Sequence, residues 1–479
     1  MAILREIPVN KTKRFLQTSL IYFLGNILIK CISFFLLPLY TGYLPEADFG
    51  YFDTVVALLN MIAPLIALEI WSGILRFALD YKVEQSLEKW SVVRDGLTVA
   101  MFSSLIYIVG GVILFFAIDP PYKWLIFLTG LGVIWQNVLS GVARGLERNR
   151  LYMSAGVLGS GITLLLNYIL IRYLGMGVES LFIATVIGYA VHCGVIIFGS
   201  ELIHHVRRVH SNSQRIRLLV SFSWPLCINS LSFWLLSGYS KVGVTVVLGL
   251  AAAGIFGAAS RFASMLSLVT SIFNLSWQEL AFASGKGEDR NVTYTRGFSM
   301  YSLVLGLAVL ILIPITKLVF PFLVKGEDFP KALNLLPIYY FATMLSSLAG
   351  FLGSIFGAEH KTRHIFMTTL VGGGINVIIL HLLLPVLGLV AAPLGLWIGF
   401  LIIIVLRLMW LKKRALITFR WRNALYYLAA FLTVTAIFYY ANQWQLIVLT
   451  IVISIISLWL LRPLFKQVWQ AVGRSKGGK

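Results

Sequence analysis

Long apolar stretches alternate with short polar segments along the whole chain. A membrane-spanning helix needs about 20 predominantly apolar residues. Fourteen stretches qualify, at residues 15–42, 49–77, 92–118, 123–143, 151–172, 178–200, 217–240, 250–282, 297–323, 332–357, 364–386, 389–411, 423–441 and 445–462. Membrane β-strands alternate apolar and polar residues, whereas these stretches are continuous. The pattern therefore predicts an all-α polytopic membrane protein with fourteen transmembrane helices.

Two parts of the chain share a sequence register, which indicates a duplicated unit of six helices. Gly50 near helix 2 aligns with Gly254 near helix 8, and GLERNR from Gly145 aligns with GAEHKTR from Gly357. Such repeats are common in secondary transporters. We therefore expect a cytoplasmic N-terminal tail, a six-helix bundle, a cytoplasmic linker, a second six-helix bundle, two additional helices and a basic cytoplasmic tail, at residues 1–14, 15–200, 201–216, 217–411, 412–462 and 463–479.

Composition agrees with this interpretation. The chain is 59% hydrophobic and 12% charged, with a mean hydropathy of +0.87. Soluble domains carry about 25% charged residues. The three cysteines have no disulfide or metal spacing and are expected to pack as small apolar residues.

The formal net charge of +20 is distributed unevenly between the two sides of the predicted membrane protein. Of the 39 lysines and arginines, 31 fall in the tails, in the loops of one side and at the helix ends beside those loops, such as Arg76, Arg94 and Arg407. Two, Lys30 and Arg261, fall deep inside spans. The other six are Lys123, Arg172, Lys241, Lys317, Lys325 and Lys331. The positive-inside rule then places both termini in the cytoplasm. The basic surplus is a topology signal and an attraction for anionic lipid, and no nucleic-acid partner is expected.

Polar side chains concentrate in helices 1, 2, 7 and 8, the equivalent pairs of the two halves. Charged and amide side chains lie deep within helices 1, 2 and 8, and Ser230, Ser237 and Lys241 align on one face of helix 7. A charge at the membrane centre costs at least roughly 2.5–3.5 kcal/mol on insertion scales, so such residues face protein or a water-filled cavity. This pattern favours a cationic cavity between the halves that attracts an anion. The expected substrate-binding residues are Lys30, Arg261, Arg76, Asn26, Asn60, Ser264, Asn274 and Lys241. Glu69, Glu279 and Asp53 are candidates for coupling to H⁺ or Na⁺.

Structural interpretations of these residues stay open. The serines of helix 8 are equally compatible with tight helix packing. Lys30 and Arg261 have Glu69 or Glu279 as alternative ion-pair partners, and Arg76 fits an interfacial anchor. Pro64 predicts a kink in helix 2.

Motifs of enzymes and metal sites are absent from the sequence. No P-loop, nucleophile elbow, zinc motif or dinucleotide fingerprint is present. His192 and His381 stand alone in apolar spans and fit buried histidines better than ligands. We expect no catalytic residues, no metal and no cofactor beyond a coupling ion.

Three segments resemble one family. LPLYTGYLPEADFGYFDTVVALLNMIAPLI, GIFGAASRFASMLSLVTSIFNLSWQELAF and AEHKTRHIFMTTLVGGGINVIILHLLLPVLGLVAAPLG are similar to the helix 1–2, helix 8 and helix 11–12 regions of polysaccharide transporters, the O-antigen flippases of the Wzx type. The resemblance implies the fold of the multidrug/oligosaccharidyl-lipid/polysaccharide exporters. Two six-helix bundles form a V around a central cavity, and several subgroups have two extra helices.

The resemblance also implies a function. Undecaprenyl-diphosphate-linked oligosaccharide would move from the cytoplasmic to the outer leaflet of the bacterial inner membrane, for O-antigen, capsule or exopolysaccharide synthesis. In related lipid-linked precursor flippases, basic residues of helices 1, 2 and 8 line the cavity, and Lys30, Arg76 and Arg261 lie on those helices here. Membrane lipids, a polysaccharide polymerase and a chain-length regulator are the partners that the resemblance implies.

Two other functions remain in view. A multidrug efflux antiporter of the same superfamily often carries organic cations and should have carboxylates in its cavity. A membrane polysaccharide polymerase or ligase usually needs a large outer loop with catalytic Arg or His, which the short loops predicted here do not supply.

Overall fold

The computed structural model describes residues 34–81, 86–268, 290–359, 361–418 and 421–476, with the separate positions 25, 27–29, 32, 270 and 277. Regular structure in these residues consists of sixteen α-helices and two short 3₁₀ helices. The first half contains α1 (Leu37–Tyr43), α2 (Glu46–Ile66), α3 (Ile70–Ala78), α4 (Ser86–Ala117), α5 (Lys123–Gly145), α6 (Asn149–Arg172), α7 (Glu179–Gly199) and the short α8 (Leu202–Arg207).

The second half follows the same plan and carries two more helices at its end. It contains α9 (Ser213–Leu248), α10 (Leu250–Ser264), α11 (Arg290–Leu323), α12 (Leu336–Ala358), α13 (Thr362–Leu387), α14 (Ala391–Lys413), α15 (Trp421–Tyr440) and α16 (Gln443–Lys476). The 3₁₀ helices are Phe329–Leu335, before α12, and Gly388–Val390, before α14.

Eleven helical segments in the described part of the chain are long and apolar enough to cross a membrane, and the apolar Ala424–Tyr440 is shorter. One of the eleven, Thr362–Lys413, contains both α13 and α14. The protein is therefore an all-α, multi-pass membrane protein, as predicted. The count of fourteen spans stays a prediction, because half of the first span, including residues 15–24, lies outside the described residues.

The helices pack mainly within their own half. In the first half α7 packs on α5 and α6, and α3 packs on α4 and α5. In the second half α13 packs on α9 and α14, and α12 packs on α14. The halves meet where α2 contacts α9 and α10 and where α3 contacts α9. We call the end with the α1–α2 turn, the α9–α10 turn and residues 324–329 the gate end, and the opposite end the basic end.

Helix 2 of the sequence prediction is interrupted. The predicted span 49–77 is divided into α2 and α3, and Leu68 and Glu69 between them have φ values of 51° and 48°. The amide of Glu69 donates to Pro64 O (3.0 Å), and the amide of Ile70 donates to Ala67 O (3.0 Å). Left-handed geometry costs roughly 1–2 kcal/mol for a non-glycine residue. The kink predicted at Pro64 is therefore a complete break in the helix a few residues further on.

The predicted linker 201–216 is docked on α4 by one carboxylate. Asp95 is 0% exposed and accepts hydrogen bonds from Ser211 Oγ (2.7 Å), the amide of Asn212 (3.1 Å) and Arg215 Nε. The Asn212 side chain caps α9 by accepting from the amide of Gln214 (2.9 Å). These contacts fix the start of α9 against the first half.

The two additional helices pack on α11. Lys317 of α11 donates from Nζ to the main-chain oxygens of Phe438 and Ala441, the latter at 3.2 Å. A cation bound to the last carbonyl groups of a helix stabilises that end of the helix. Lys317 therefore anchors the C-terminus of α15. The last helix, α16, extends to Lys476, beyond the predicted limit at residue 462.

Candidate functional site

The seam between the halves follows one face of α9. Cys227, Ser230, Trp234, Lys241 and Thr245 are separated by three, four or seven positions, which places them on one side of a helix. Each of them contacts α2 or the break that follows it. The sequence analysis aligned only Ser230 and Lys241 of this set, as polar residues, because it had no means of identifying their partners.

Glu69 lies at the middle of this seam, in the break between α2 and α3. Its Oε2 accepts from Ser230 Oγ of α9 (2.5 Å), and its Oε1 accepts from Ser72 Oγ (3.3 Å). Nearby, Cys227 Sγ donates to Pro64 O (3.2 Å). Coupling-ion sites in transporters are often built from the unwound backbone of interrupted helices. Glu69 lies at such an interruption, and its role in ion coupling stays a prediction.

Asp53 and Lys241, which the sequence analysis assigned to different roles, form an ion pair across the seam. Lys241 Nζ lies 2.7 Å from Asp53 Oδ2, and the side chains are 23% and 11% exposed. Thr54 and Thr245 share a hydrogen bond of 2.6 Å beside them. These contacts join α2 to α9 near the gate end. In this conformation Asp53 therefore compensates the charge of Lys241.

The gate end is closed by contacts between the halves. Glu46 Oε1 accepts from the amides of Asp328 (3.1 Å) and Phe329 (3.2 Å), which begin the 3₁₀ helix of the second half. Thr41 Oγ1 accepts from the amide of Lys325 (3.1 Å). A carboxylate bound to the free amides of a helix start is a stabilising arrangement.

Arg261 of α10 lies at the same interface, against aromatic residues of the first half. Its guanidinium carbon is 5.3 Å from the centre of the Tyr40 ring and 4.9 Å from that of Phe49. Both distances are within the range of cation–π attraction. The cation predicted to bind substrate is thus located between the halves, beside the closed gate end.

The serine stripe that follows Arg261 bonds to its own helix. Ser260 Oγ donates to Gly257 O (2.7 Å), Ser264 Oγ donates to Arg261 O (2.7 Å), and Ser267 Oγ donates to Ser264 O. Ser264 is exposed. These back-bonds satisfy the hydroxyl protons locally, while each oxygen retains acceptor capacity.

The other predicted site residues lie further apart. Asn60 is exposed and donates from Nδ2 to Val56 O (2.8 Å). Arg76 pairs with Asp80 on the same helix at the basic end, with side chains 56% and 48% exposed. This exposed position at the end of α3 fits the alternative interpretation of Arg76 as an anchor at the membrane interface. Asn26, Lys30, Asn274 and Glu279 lie outside the described residues. Within the described residues, no group of three or more His, Cys, Asp or Glu side chains could hold a metal ion.

Sequence reasoning missed a polar cavity inside the first half. Its volume is about 450 Å³, and α3, α5, α6 and α7 contribute lining residues. Gln136, Ser140 and Arg144 of α5 all line it. Their spacing of four residues was a detectable signal, because it places all three on one helix face.

This fold, with its polar seam between two helical halves, is that of a multi-pass membrane protein. Residues 15–278 match the sequence profile of a family described as polysaccharide biosynthesis protein, so the chain belongs to that family. This confirms the family-level prediction. None of the curated proteins compared with the chain matches it.

Solved transporter structures share the fold. Lipid II flippase MurJ, in an inward closed conformation, is 14% identical with a TM-score of 0.68 over 94% of this chain and 100% of that chain. A multidrug resistance MATE family transporter of the MOP superfamily, in an inward-facing conformation, is 17% identical with a TM-score of 0.63 over 81% and 94%. A MOP superfamily transporter from Pyrococcus furiosus is 14% identical with a TM-score of 0.59 over 84% and 95%. These proteins are transporters and a flippase, and the likeness shows that this chain shares their fold.

Proposed function

We propose that this protein is a flippase for undecaprenyl-diphosphate-linked oligosaccharide. It carries the lipid-linked repeat unit from the cytoplasmic to the outer leaflet of the bacterial inner membrane, with both of its termini in the cytoplasm. The observation that carries the proposal is membership of the polysaccharide biosynthesis family through residues 15–278, a range that includes the seam helices of both halves. The likeness to the fold of a lipid II flippase over 94% of the chain supports it.

Positive charge at the interface is the physical reason for this choice. A lipid diphosphate carries about two negative charges, and moving them through a low-dielectric slab is costly. The guanidinium group of Arg261 places one positive charge between the halves, and Lys30 is expected to supply a second one. The polyprenyl tail can remain in lipid while the headgroup passes between the bundles.

Alternating access follows from the contacts at the gate end. The contacts of Glu46, Thr41 and Asp53 with the second half close this end, which the distribution of lysine and arginine assigns to the outside. Release of the substrate to the outer leaflet requires these contacts to break while the basic end closes. Glu69 is the proposed coupling residue, because its bond to Ser230 joins the halves at the helix break.

Efflux of organic cations is the second candidate, because a multidrug transporter of the MATE family has the same fold. An organic cation needs an accessible carboxylate. On the seam Asp53 is paired with Lys241 and Glu69 with serine hydroxyls, and at the gate end Glu46 accepts from main-chain amides of the second half. Susceptibility of a deletion strain to cationic dyes separates this candidate from the flippase.

The decisive experiment is to delete the gene and determine in which leaflet the lipid-linked glycan accumulates. A flippase predicts accumulation in the cytoplasmic leaflet and loss of surface polysaccharide. Complementation with Lys30→Ala or Arg261→Ala should fail although the proteins insert, whereas Arg414→Ala, a matched change of an exposed arginine at the basic end, should restore display. An unchanged distribution between leaflets in the deletion strain contradicts the flippase. Full display with both Lys30→Ala and Arg261→Ala removes these two residues from the mechanism.

The family resemblance also suggests a polysaccharide polymerase and a chain-length regulator as partners in the membrane. Co-purification of the tagged protein with either one tests this part of the proposal.

A further inference from the structure

The cavity in the first half is distinct from the seam that joins the halves. Trp71, Ser72 and Leu75 of α3 line the cavity, whereas Gly73 of the same helix packs against Ser223 of α9. Helix α3 therefore separates the cavity from the second half. With a volume of about 450 Å³, the cavity falls in the range of roughly 300–1,000 Å³ that small-molecule sites occupy.

The cavity extends from the basic end towards the middle of the bundle. Arg144 lies in the last turn of α5 and Gln136 lies eight residues earlier, which is about 12 Å along a helix. Arg144 is exposed, and its guanidinium carbon lies 5.8 Å from the centre of the Tyr152 ring. A ligand entering from the basic end would thus meet a cation first and amide groups further in.

Several polar side chains of the lining have hydrogen-bonding capacity to spare. Neither Gln136 nor Ser160 makes a side-chain hydrogen bond to another residue in the described part of the chain. Asn137 uses one of its two N–H groups, on Val133 O (2.9 Å). Gln136 and Ser160 are half-buried in the lining, so their amide and hydroxyl groups are available to a ligand with many hydroxyl groups.

The remaining lining chemistry indicates which ligand fits. Trp71, Tyr152 and Tyr189 add aromatic surface with polar edges, and no Asp or Glu is among the described lining residues. An organic cation would therefore find no carboxylate and would meet Arg144 at the mouth. A neutral or acidic sugar finds amides, hydroxyls and aromatic rings together.

We propose that this cavity binds sugar residues of the lipid-linked glycan while the diphosphate remains at the interface between the halves. This inference rests on the flippase function proposed above and adds a glycan subsite to it. Gln136 and Ser160 are the hydrogen-bonding residues of the subsite, and Arg144 favours an acidic sugar at its mouth.

The test compares two probes on the purified full-length protein. One is undecaprenyl-diphosphate-linked oligosaccharide extracted from cells that lack the protein, and the other is undecaprenyl diphosphate without sugar. The double variant Gln136→Met/Ser160→Ala removes the spare groups at similar volume. We expect it to bind the sugar-bearing probe about tenfold more weakly, as the loss of a few hydrogen bonds implies, and to bind the bare lipid as the wild type does.

Ser154→Ala is the matched control for the serine change. Ser154 is exposed on α6, the helix that carries Ser160, and its hydroxyl donates to Leu151 O (2.9 Å). Undiminished binding of the bare lipid shows that the double variant is folded. Equal affinities of the double variant and the wild type for the sugar-bearing probe overturn the glycan subsite, as does an equal loss for both probes. If either of these binding results is obtained while the deletion strain accumulates the glycan in the cytoplasmic leaflet, the glycan subsite is contradicted and the flippase function is not. A wild type that binds neither probe overturns both proposals.

Discussion

Gly50 of α2 and Gly254 of α10 pack against each other's helices in a reciprocal way. A Cβ on Gly50 would overlap the main-chain oxygen of Leu250, and a Cβ on Gly254 would overlap that of Glu46. Leu250 lies four positions before Gly254, and Glu46 lies four positions before Gly50. An approximate twofold axis therefore relates the two contacts. Both pairs of equivalent residues are 204 positions apart, which is the offset of the Gly50–Gly254 match in the sequence repeat.

This crossing makes the two glycines necessary for closing the gate end. In Gly50→Ala the added methyl group meets main-chain atoms, which cannot rotate away, so the helices must separate. Overpacking of this kind costs about 1–3 kcal/mol, and we expect the cost to act against the closed conformation. Val324, which is 4% exposed at the closed end, is a suitable reporter. In a cysteine-depleted Val324→Cys background, Gly50→Ala should increase labelling by a membrane-impermeant thiol reagent.

Gly110→Ala is the matched control, because a Cβ there would have no atom within 4 Å. It should leave the labelling of residue 324 unchanged. Equal labelling in all three backgrounds would contradict the role of the glycine crossing. Gly254→Ala should reproduce the effect of Gly50→Ala, because the contact is reciprocal.

The Asp53–Lys241 pair should stabilise the same closed conformation. Removing one partner leaves the other charge largely buried, and for a pair with 23% and 11% exposure we expect a cost of about 1–3 kcal/mol. Asp53→Asn and Lys241→Met should therefore each increase labelling at residue 324. The double variant should be less impaired than the sum of the single variants. Strict additivity would show that the two side chains act independently.

The sequence sufficed for the helical elements and for the repeat, because hydrophobic length and glycine register are local properties. It located Glu69, Asp53, Lys241 and Arg261 as unusual polar residues within apolar helices. It did not identify their partners. The pairing of Lys241 with Asp53 depends on how α2 crosses α9, and that crossing angle has no local signature.

Other features escaped the sequence for similar reasons. The break after α2 requires left-handed geometry at Leu68 and Glu69, which are not residues that favour it. Arg407 was counted with the interfacial basic residues at a helix end, but it is 2% exposed. Its burial follows from the packing of α12, α13 and α14, and one helix pattern cannot reveal such a cluster.

Glu69 is expected to link transport to an ion gradient. Glu69→Gln keeps the size of the side chain and removes the titratable charge. Its one carbonyl oxygen can still accept from Ser230 Oγ, while its NH2 group can donate to Ser72 Oγ. If protonation or ion binding at Glu69 drives the cycle, flux of lipid-linked glycan in the variant should lose its dependence on the gradient. Flux in proteoliposomes, measured with and without an ionophore, checks this. Wild-type flux that is insensitive to the ionophore would rule out coupling at this residue.

Arg407 should be essential for the second half. It donates to Thr368 Oγ1 (3.0 Å), Thr369 Oγ1 (3.0 Å) and main-chain oxygens of α12 and α13, and so joins three helices. Lysine keeps the charge but has no planar fork with which to reach all of these acceptors. We expect Arg407→Lys to lower the unfolding free energy by at least about 2 kcal/mol. The thermal midpoint in detergent measures this, with Arg414→Lys, an exposed position, as the control. Equal midpoints for the two variants would contradict the assignment.

The end of α14 offers a stabilising substitution. Ala415 has a φ of 53°, its amide donates to Lys412 O (3.0 Å), and the amide of Leu416 donates to Leu411 O (3.0 Å). These two bonds form a Schellman motif, whose left-handed position normally holds glycine. A β-carbon in this conformation costs roughly 1–2 kcal/mol, so Ala415→Gly should raise the unfolding free energy by about 1 kcal/mol, after the greater entropy of glycine in the unfolded chain is subtracted. Ala436→Gly, in the interior of α15, should instead lower it by roughly 0.5–1 kcal/mol. Thermal unfolding of the two variants in the same detergent tests both signs, and a loss of stability in Ala415→Gly would show that the left-handed residue is not strained.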